Sequence, residues 1–159
     1  RSVDGVDIAD IGGAEAVGAV VTFIDGIPFK SGYRHYKIKS VSGPDDYAMV
    51  REVVGRRFRR LAEDGAFPDV LLIDGGQGHL NAASEILAAM ENIPSVILSL
   101  AKEEEQVFLR TRDGNRLIEG MERYDHAHRL LMYIRDEAHR FAQHYHHFLR
   151  RKALFGGDT

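Results

Sequence analysis

The chain has 159 residues, enough for one domain with a sizeable core, and its 44 % hydrophobic and 28 % charged content is ordinary for a globular protein. The absence of cysteine excludes disulfides and cysteine-ligated zinc and suits a reducing cytoplasm. No apolar run is long enough to span a bilayer, and Arg1 to Asp10 has no continuous apolar region of the signal-peptide kind.

A net charge of −3 does not mark a nucleic-acid binder, but the charge is segregated. Pro28 to Leu61 holds nine Lys or Arg against three acids, and His128 to Lys152 holds six against two. Phosphate contacts need local positive faces rather than a basic total, although a solvated helix face produces the same pattern.

Residues Val3 to Ile8 alternate, with Val6 and Ile8 on one side and Asp7 on the other, which predicts a short strand ended by Gly12 and Gly13. Val17 to Ile24 is almost wholly apolar and β-branched, the pattern of a strand buried on both faces. Asp25-Gly26 is a hairpin signal, and a returning strand is expected over Tyr33 to Lys39, with Tyr36 and Ile38 inward and His35, Lys37 and Lys39 outward. Pro44 opens a helix with Asp45 and Asp46 in its first turn, an apolar stripe of Tyr47, Val50, Val54, Phe58 and Leu61, and an end at Gly65. Val70 to Ile73 is a second core strand, expected parallel to the first and ending at Asp74-Gly75-Gly76. A second helix carries Leu80, Ala83, Leu87 and Met90 inward, and Val96 to Leu100 is a fifth strand.

Lys102 to Gly120 reads as polar and irregular, with a short extended piece at Val107 to Leu109. The last helix repeats Leu131, Ile134, Ala138, Phe141, Tyr145 and Phe148 at spacings of three and four, with His139 beside that stripe. The order β-β-β-α-β-α-β-α predicts an α/β fold, a mixed five-stranded sheet with helices on both faces; it is the RNase H-like order, which other α/β folds that begin with a hairpin share. Residues 1–152 are expected to form this domain and 153–159 a tail.

Three residues stand out chemically, each with a plain alternative. Asp7 is a carboxylate in a strand flanked by apolar residues, costly unless paired or bound to a cation; an edge-strand or turn Asp is the alternative. Asp74 closes a buried strand, where ligand groups of open α/β sheets gather, but Asp-Gly is also a common turn. The Gly75 to Gly78 segment fits neither the P-loop nor the dinucleotide pattern. His139 at a core border is either a packing residue or a functional imidazole. His144, His146 and His147 form a C-terminal cluster read as solvated. If Asp7, Asp74 and His139 converge, two carboxylates suit Mg²⁺ or Mn²⁺ and the imidazole completes coordination or handles a proton. Such a set is expected to hold one divalent ion tightly before substrate arrives.

Six motifs in order resemble the C-terminal endonuclease domain of the UvrC family, the bacterial nucleotide-excision-repair nuclease. They are Val6-Asp7-Ile8-Ala9-Asp10, Tyr33 to Ile38, Asp45 to Ala48 with Arg56-Arg57-Phe58, Leu72 to Gly76 with Leu80 to Ala83, Ala101 to Glu105, and Ile134 to Ala142. The resemblance covers nearly the whole chain. It implies an RNase H-like, metal-dependent endonuclease that incises damaged duplex DNA on the 5′ side of a lesion, acting on a UvrB–DNA complex within the full-length cytoplasmic protein. It also implies an Asp-Asp-His metal site at Asp7, Asp74 and His139, with Lys102 and Arg140 as supporting or phosphate contacts.

The chain departs from the family at Ala9-Asp10, where Ser-His is usual, at Gly12, and at His79, where Gln is usual. Asp10 is either an extra ligand or a loop residue. The family's GIY-YIG nuclease domain, UvrB-contacting region and helix-hairpin-helix pair have no counterpart in these residues, so this stretch is expected to bind DNA weakly by itself. A DNA- or protein-binding module that kept the frame but lost cleavage is the second reading.

Overall fold

The computed structural model describes residues 1–9, 16–39, 41, 43, 45–90, 94, 96–101, 106–118 and 125–154. The first two strands, β1 (Ser2–Ala9) and β2 (Val17–Ile24), pair antiparallel over their full length, from Ser2 opposite Ile24 to Ala9 opposite Val17. Asp25 and Gly26 then turn the chain with φ of 51° and 80°. Two successive positive φ values are the signature of the tight hairpin turn, which is why Asp-Gly serves here. The returning strand is split. Its first piece, β3 (Ile27–Pro28), pairs with the far end of β2, a single 3-10 turn follows at Lys30–Gly32, and β4 (Arg34–Lys37) pairs with Val17 to Val20.

Helix α1 (Asp46–Asp64) is capped by Asp45, whose carboxylate accepts from the Ala48 N–H, and ends at Gly65 in the left-handed conformation. Pro44, the expected opening residue, lies outside the described residues. Strand β5 (Val70–Asp74) lies parallel to β1, with Val6 opposite Ile73. Helix α2 (Gln77–Met90) leads to β6 (Val96–Leu100), parallel to β5. A hairpin, β7 (Val107–Thr111) and β8 (Gly114–Leu117), continues the sheet antiparallel, and α3 (Asp125–Leu154) closes the described chain.

The resulting mixed sheet has the order β3-β2-β1-β5-β6-β7-β8, with β4 also on β2. All five expected strands form, and the sheet reaches eight because the returning strand divides and the hairpin is added. The sequence pattern predicts only the extended piece at Val107 to Leu109, because the residues around it are polar. The hairpin forms because the apolar start of β7 seats on the sheet, with Val107 buried in the core and Leu98 opposite Leu109, and β8 then pairs onto β7 with Arg110 opposite Asn115.

Helices cover both faces. On one, α1 and α2 bury Val50, Val54, Phe58, Leu80, Ala83 and Leu87 against Val6, Val20, Leu71 and Ile73. On the other, Leu131, Ile134 and Ala138 of α3 pack on Val21, Phe23, Leu72, Leu98 and Leu100. Strand alternation does the sorting, since successive side chains point to opposite faces. Three expectations about side chains need correction. His35 lies against α3 rather than in solvent, because that face of β4 is covered. Tyr47 and Phe148 are exposed rather than core, at 47 % and 56 %. Tyr47 sits in the first turn of α1, beside the N-terminal turn of α2. Phe148 lies two turns beyond Ala142, which is itself level with Ala9 and Ala19 where β1 ends and β2 begins. Among the described residues no helix is long and apolar enough to cross a membrane.

Strand β1 carries a buried acid on its α1 face. Asp4 accepts from Arg57 Nε at 3.0 Å and from Thr22 Oγ at 2.9 Å, and Arg57 Nη2 donates to that same hydroxyl at 3.2 Å. Both charged residues are almost completely buried. Each charge is tolerated only because the other is there, so removing one partner leaves an uncompensated ion in the core. Arg57→Met is therefore expected to lower the unfolding free energy in urea by about 3–5 kcal/mol, whereas Asp4→Leu with Arg57→Met together lose much less. Equal losses in the single and double variants would show that packing, not charge, sets the cost.

Candidate metal centre

Asp7 and Asp74 meet because of register. Val6 lies opposite Ile73 across the parallel β1–β5 pair, so the next residue of each strand is a carboxylate, and both point to the α3 face. β1 lies between β2 and β5, which removes the edge-strand alternative for Asp7. Helix α3 runs over this face, and Ile134 lies so close to Gly5 that a Cβ there would sit 2.6 Å from its side chain. One turn further on, His139 reaches Asp7: the imidazole Nδ1 lies 3.1 Å from Asp7 Oδ2, donating when it carries the proton. One donor atom each from Asp7, Asp74 and His139 lie within 4.8 Å of one another.

The electrostatics of this trio are unfavourable as the protein alone supplies them. Asp7 is buried, Asp74 half-buried and His139 exposed. Burial, then the charge of Asp74 and its hydrogen bonding, push the Asp7 carboxyl up to about 7, while His139 pulls the other way. Asp74 Oδ1 is buried and has no hydrogen-bond donor. The cleft beside them, of about 410 Å³, is lined by Asp7, Asp46, Asp74, His79 and Gln106 among others, with no Lys or Arg among its described lining residues. Two adjacent carboxylates, one with an orphaned oxygen, and an imidazole make a donor set that fits a hard divalent cation.

The turn after β5 is held in place by α2. Gly75 has φ of 147°, and a Cβ on it would sit 2.4 Å from the His79 ring, so only glycine fits there. The Gly76 N–H donates to His79 Nδ1 at 3.3 Å, which leaves Nε2 as the protonated nitrogen, 4.0 Å from the Asp46 carboxylate. Tyr47 packs edge-on to the same ring. His79, where the motif comparison expects Gln, thus braces the turn that carries Asp74.

The profile of the family described as the UvrC RNase H endonuclease domain matches residues 1–143. The chain belongs to this family. The resemblance seen in the motifs is borne out, and by family the domain is a nuclease. Proteins described as UvrABC system protein C are 46 % identical over 155 residues in Dictyoglomus thermophilum and 42 % identical over 159 residues in Moorella thermoacetica, covering 96 % and 98 % of this chain and 25 % of each relative. That of Salinibacter ruber is 44 % identical, over 96 % of this chain and 24 % of the relative. The chain thus spans about a quarter of these proteins. Among solved structures, endonuclease V of Ciona intestinalis with an inosine-containing DNA is 17 % identical, covering 64 % of this chain and 46 % of its own, with a TM-score of 0.48. The human endonuclease V catalytic domain is 18 % identical over 74 % and 60 %, with a TM-score of 0.37. At those scores the likeness adds nothing to the assignment.

Of the other candidate site residues, Asp10 and Lys102 lie outside the described residues. Arg140 is held by a two-pronged pair to Glu137, at 2.7 and 2.8 Å, and Glu137 also accepts from Tyr33 Oη at 2.8 Å. The Arg140 bonds hold the Glu137 carboxyl below its usual range. Sequence reading passed over Asp46, Glu137 and Gln106. Asp46 was legible only as a helix-start acid, and Gln106 carried no signal; Glu137 had one, its i,i+3 spacing to Arg140.

The raised Asp7 pKa ties folding to pH. The folded chain holds a proton that the unfolded chain, with an ordinary value of 3.8, has already lost. The Asp7 contribution to stability is therefore fully present below about pH 4, declines as pH rises toward about 7, and is lost above. A cation that binds only the folded form restores it. In EDTA the melting temperature is expected to be lower at pH 8 than at pH 5, and millimolar Mn²⁺ at pH 8 to raise it. A melting temperature indifferent to Mn²⁺ at pH 8 would rule out a cation between these carboxylates.

Proposed function

We propose that this chain is the metal-dependent unit that makes the 5′-side incision in nucleotide excision repair, hydrolysing a DNA phosphodiester with Mg²⁺ or Mn²⁺ held by Asp7, Asp74 and His139. The observation that carries the reading is the meeting of these three donors around a buried, unpartnered carboxylate oxygen. A divalent ion bound there supplies a water of lowered pKa and neutralises charge on the phosphate oxygens.

The protein's own contributions follow from the geometry. Asp7 and Asp74 sit on two central strands, which keeps their oxygens fixed relative to each other. Burial on the α3 face excludes bulk water from Asp7. His139, half exposed on the rim, either completes the coordination or, with the two carboxylates alone holding the ion, would hold or pass a proton as the water oxygen bonds to phosphorus and the bridging P–O bond breaks. Arg140 stays 56 % exposed despite its pair with Glu137, and is the described residue for a phosphate contact. Lys102 is assigned a supporting role by motif alone, and Asp10, which departs from the motif, is either an extra ligand or a loop residue. The substrate is damaged duplex DNA, presented in a UvrB–DNA complex by the longer protein. The reading extends to a cytoplasmic setting, which the lack of cysteine suits.

Asp74→Asn is the direct test. Calorimetric titration with Mn²⁺ is expected to show one ion bound by the parent chain and at least tenfold weaker binding, about 1.4 kcal/mol, by the variant. Mn²⁺-dependent plasmid nicking is expected to drop at least a hundredfold. Undiminished nicking by Asp74→Asn would remove this site from the reaction. Two well-occupied ions without DNA would contradict the single-ion expectation.

A further inference from the structure

The C-terminal half of α3 carries features the cleft does not use. From His139 to Leu154 the sequence has no Asp or Glu, but three Arg, one Lys and four His. On the flank turned toward β4 runs a column of rings. His35 stacks between Phe141, at 3.7 Å and 18°, and Tyr145, at 4.2 Å and 19°, and Tyr145 continues in near-parallel stacking to Phe148, at 6.2 Å and 15°. The column is built rather than incidental: His35 Nε2 also meets the Phe141 carbonyl at 3.0 Å, and burial lowers the pKa of that imidazole. Its last ring, Phe148, is 56 % exposed.

The same flank carries cations. Arg151 and Lys152 follow Phe148 by three and four residues, so both are its neighbours one turn on, and both are exposed. Lys37 lies two residues beyond His35, on the same face of β4, and is exposed too. Among the described residues no carboxylate pairs with any of the three. An exposed ring at the end of a ring stack, on a flank that also carries exposed cations, matches a nucleic-acid strand: phosphates take the cations and an unpaired base takes the ring face. An apolar protein segment would leave those charges without partners. His139 and Phe148 are nine residues apart, about 14 Å along the axis and on opposite flanks of α3, so a nucleic acid engaged at the cleft must cross the helix to reach the second place.

We infer that the β4 flank of the C-terminal half of α3 is a second DNA-contact surface, with Lys37, Arg151 and Lys152 on phosphates and Phe148 stacking an unpaired base. The inference rests on the reading of this chain as a DNA nuclease, but it concerns binding and not the reacting atoms.

It is tested by fluorescence anisotropy in EDTA, over a salt series, with this chain and a labelled duplex that contains a short unpaired stretch. The Arg151→Ala/Lys152→Ala variant is expected to flatten the log K against log salt slope by about 1.8, from about 0.9 per phosphate contact. Phe148→Leu is expected to weaken binding at least fivefold, and Phe148→Tyr to keep it. Melting curves equal to the parent's identify the folded variants. Parent-like affinity and slope in both the charge variant and Phe148→Leu would overturn the inference and leave the flank as a protein-docking face, as would a parent chain that binds no DNA. Asp74→Asn reports separately: lost nicking with unchanged anisotropy keeps the nuclease reading whichever way the surface is decided, and undiminished nicking fails that reading alone.

Discussion

Two carboxylates pointing the same way from adjacent parallel strands form the constraint on which the rest of this structure depends. Asp7 and Asp74 are set side by side by the β1–β5 register, so neither can turn away without breaking the sheet. Like charges so placed disfavour each other's ionisation, and burial of Asp7 adds to the cost. A fold that keeps such a pair must balance it with protons or with a cation. The half-exposed His139 and the open cleft beside the pair provide the third donor and the access that a cation needs.

The same strand shows what the alternative looks like. Asp4, three residues before Asp7 and on the opposite face, is as deeply buried, but it receives Arg57 and Thr22 and is fully satisfied by the protein. One strand thus carries two buried acids with opposite fates. The Asp4 cluster ties α1 to β1 and β2 and holds the sheet from behind. Asp7 is left to an external partner, and strain that elsewhere would be removed is retained where chemistry is possible.

Helix α3 connects the two ends of the story. Its first half packs on the sheet through Ile134 and Ala138 and delivers His139 to the carboxylates; Ala9, Ala19 and Ala142 allow helix and sheet to approach closely. Its second half carries an acid-free, ring-bearing segment past the level where β1 ends and β2 begins. The side chains that reach the carboxylates and those that form the ring column therefore move as one rigid rod, which fixes their spacing.

Much of this was legible in the sequence because local rules acted alone. The hairpin at Asp25-Gly26, the helix stop at Gly65 and the three core strands follow from backbone freedom and apolar pattern. The trio Asp7, Asp74 and His139 was legible through motif order and through the cost of a carboxylate in an apolar strand. Tertiary structure decided what depends on neighbours distant in sequence. No local signal says that Asp4 meets Arg57 while Asp7 does not, that His35 slides between Phe141 and Tyr145, or that β7 pairs onto β6 and carries β8 with it. A chain's pattern states which side of an element is apolar; only the packed sheet and helices determine which charge, ring or open space lies opposite each side chain.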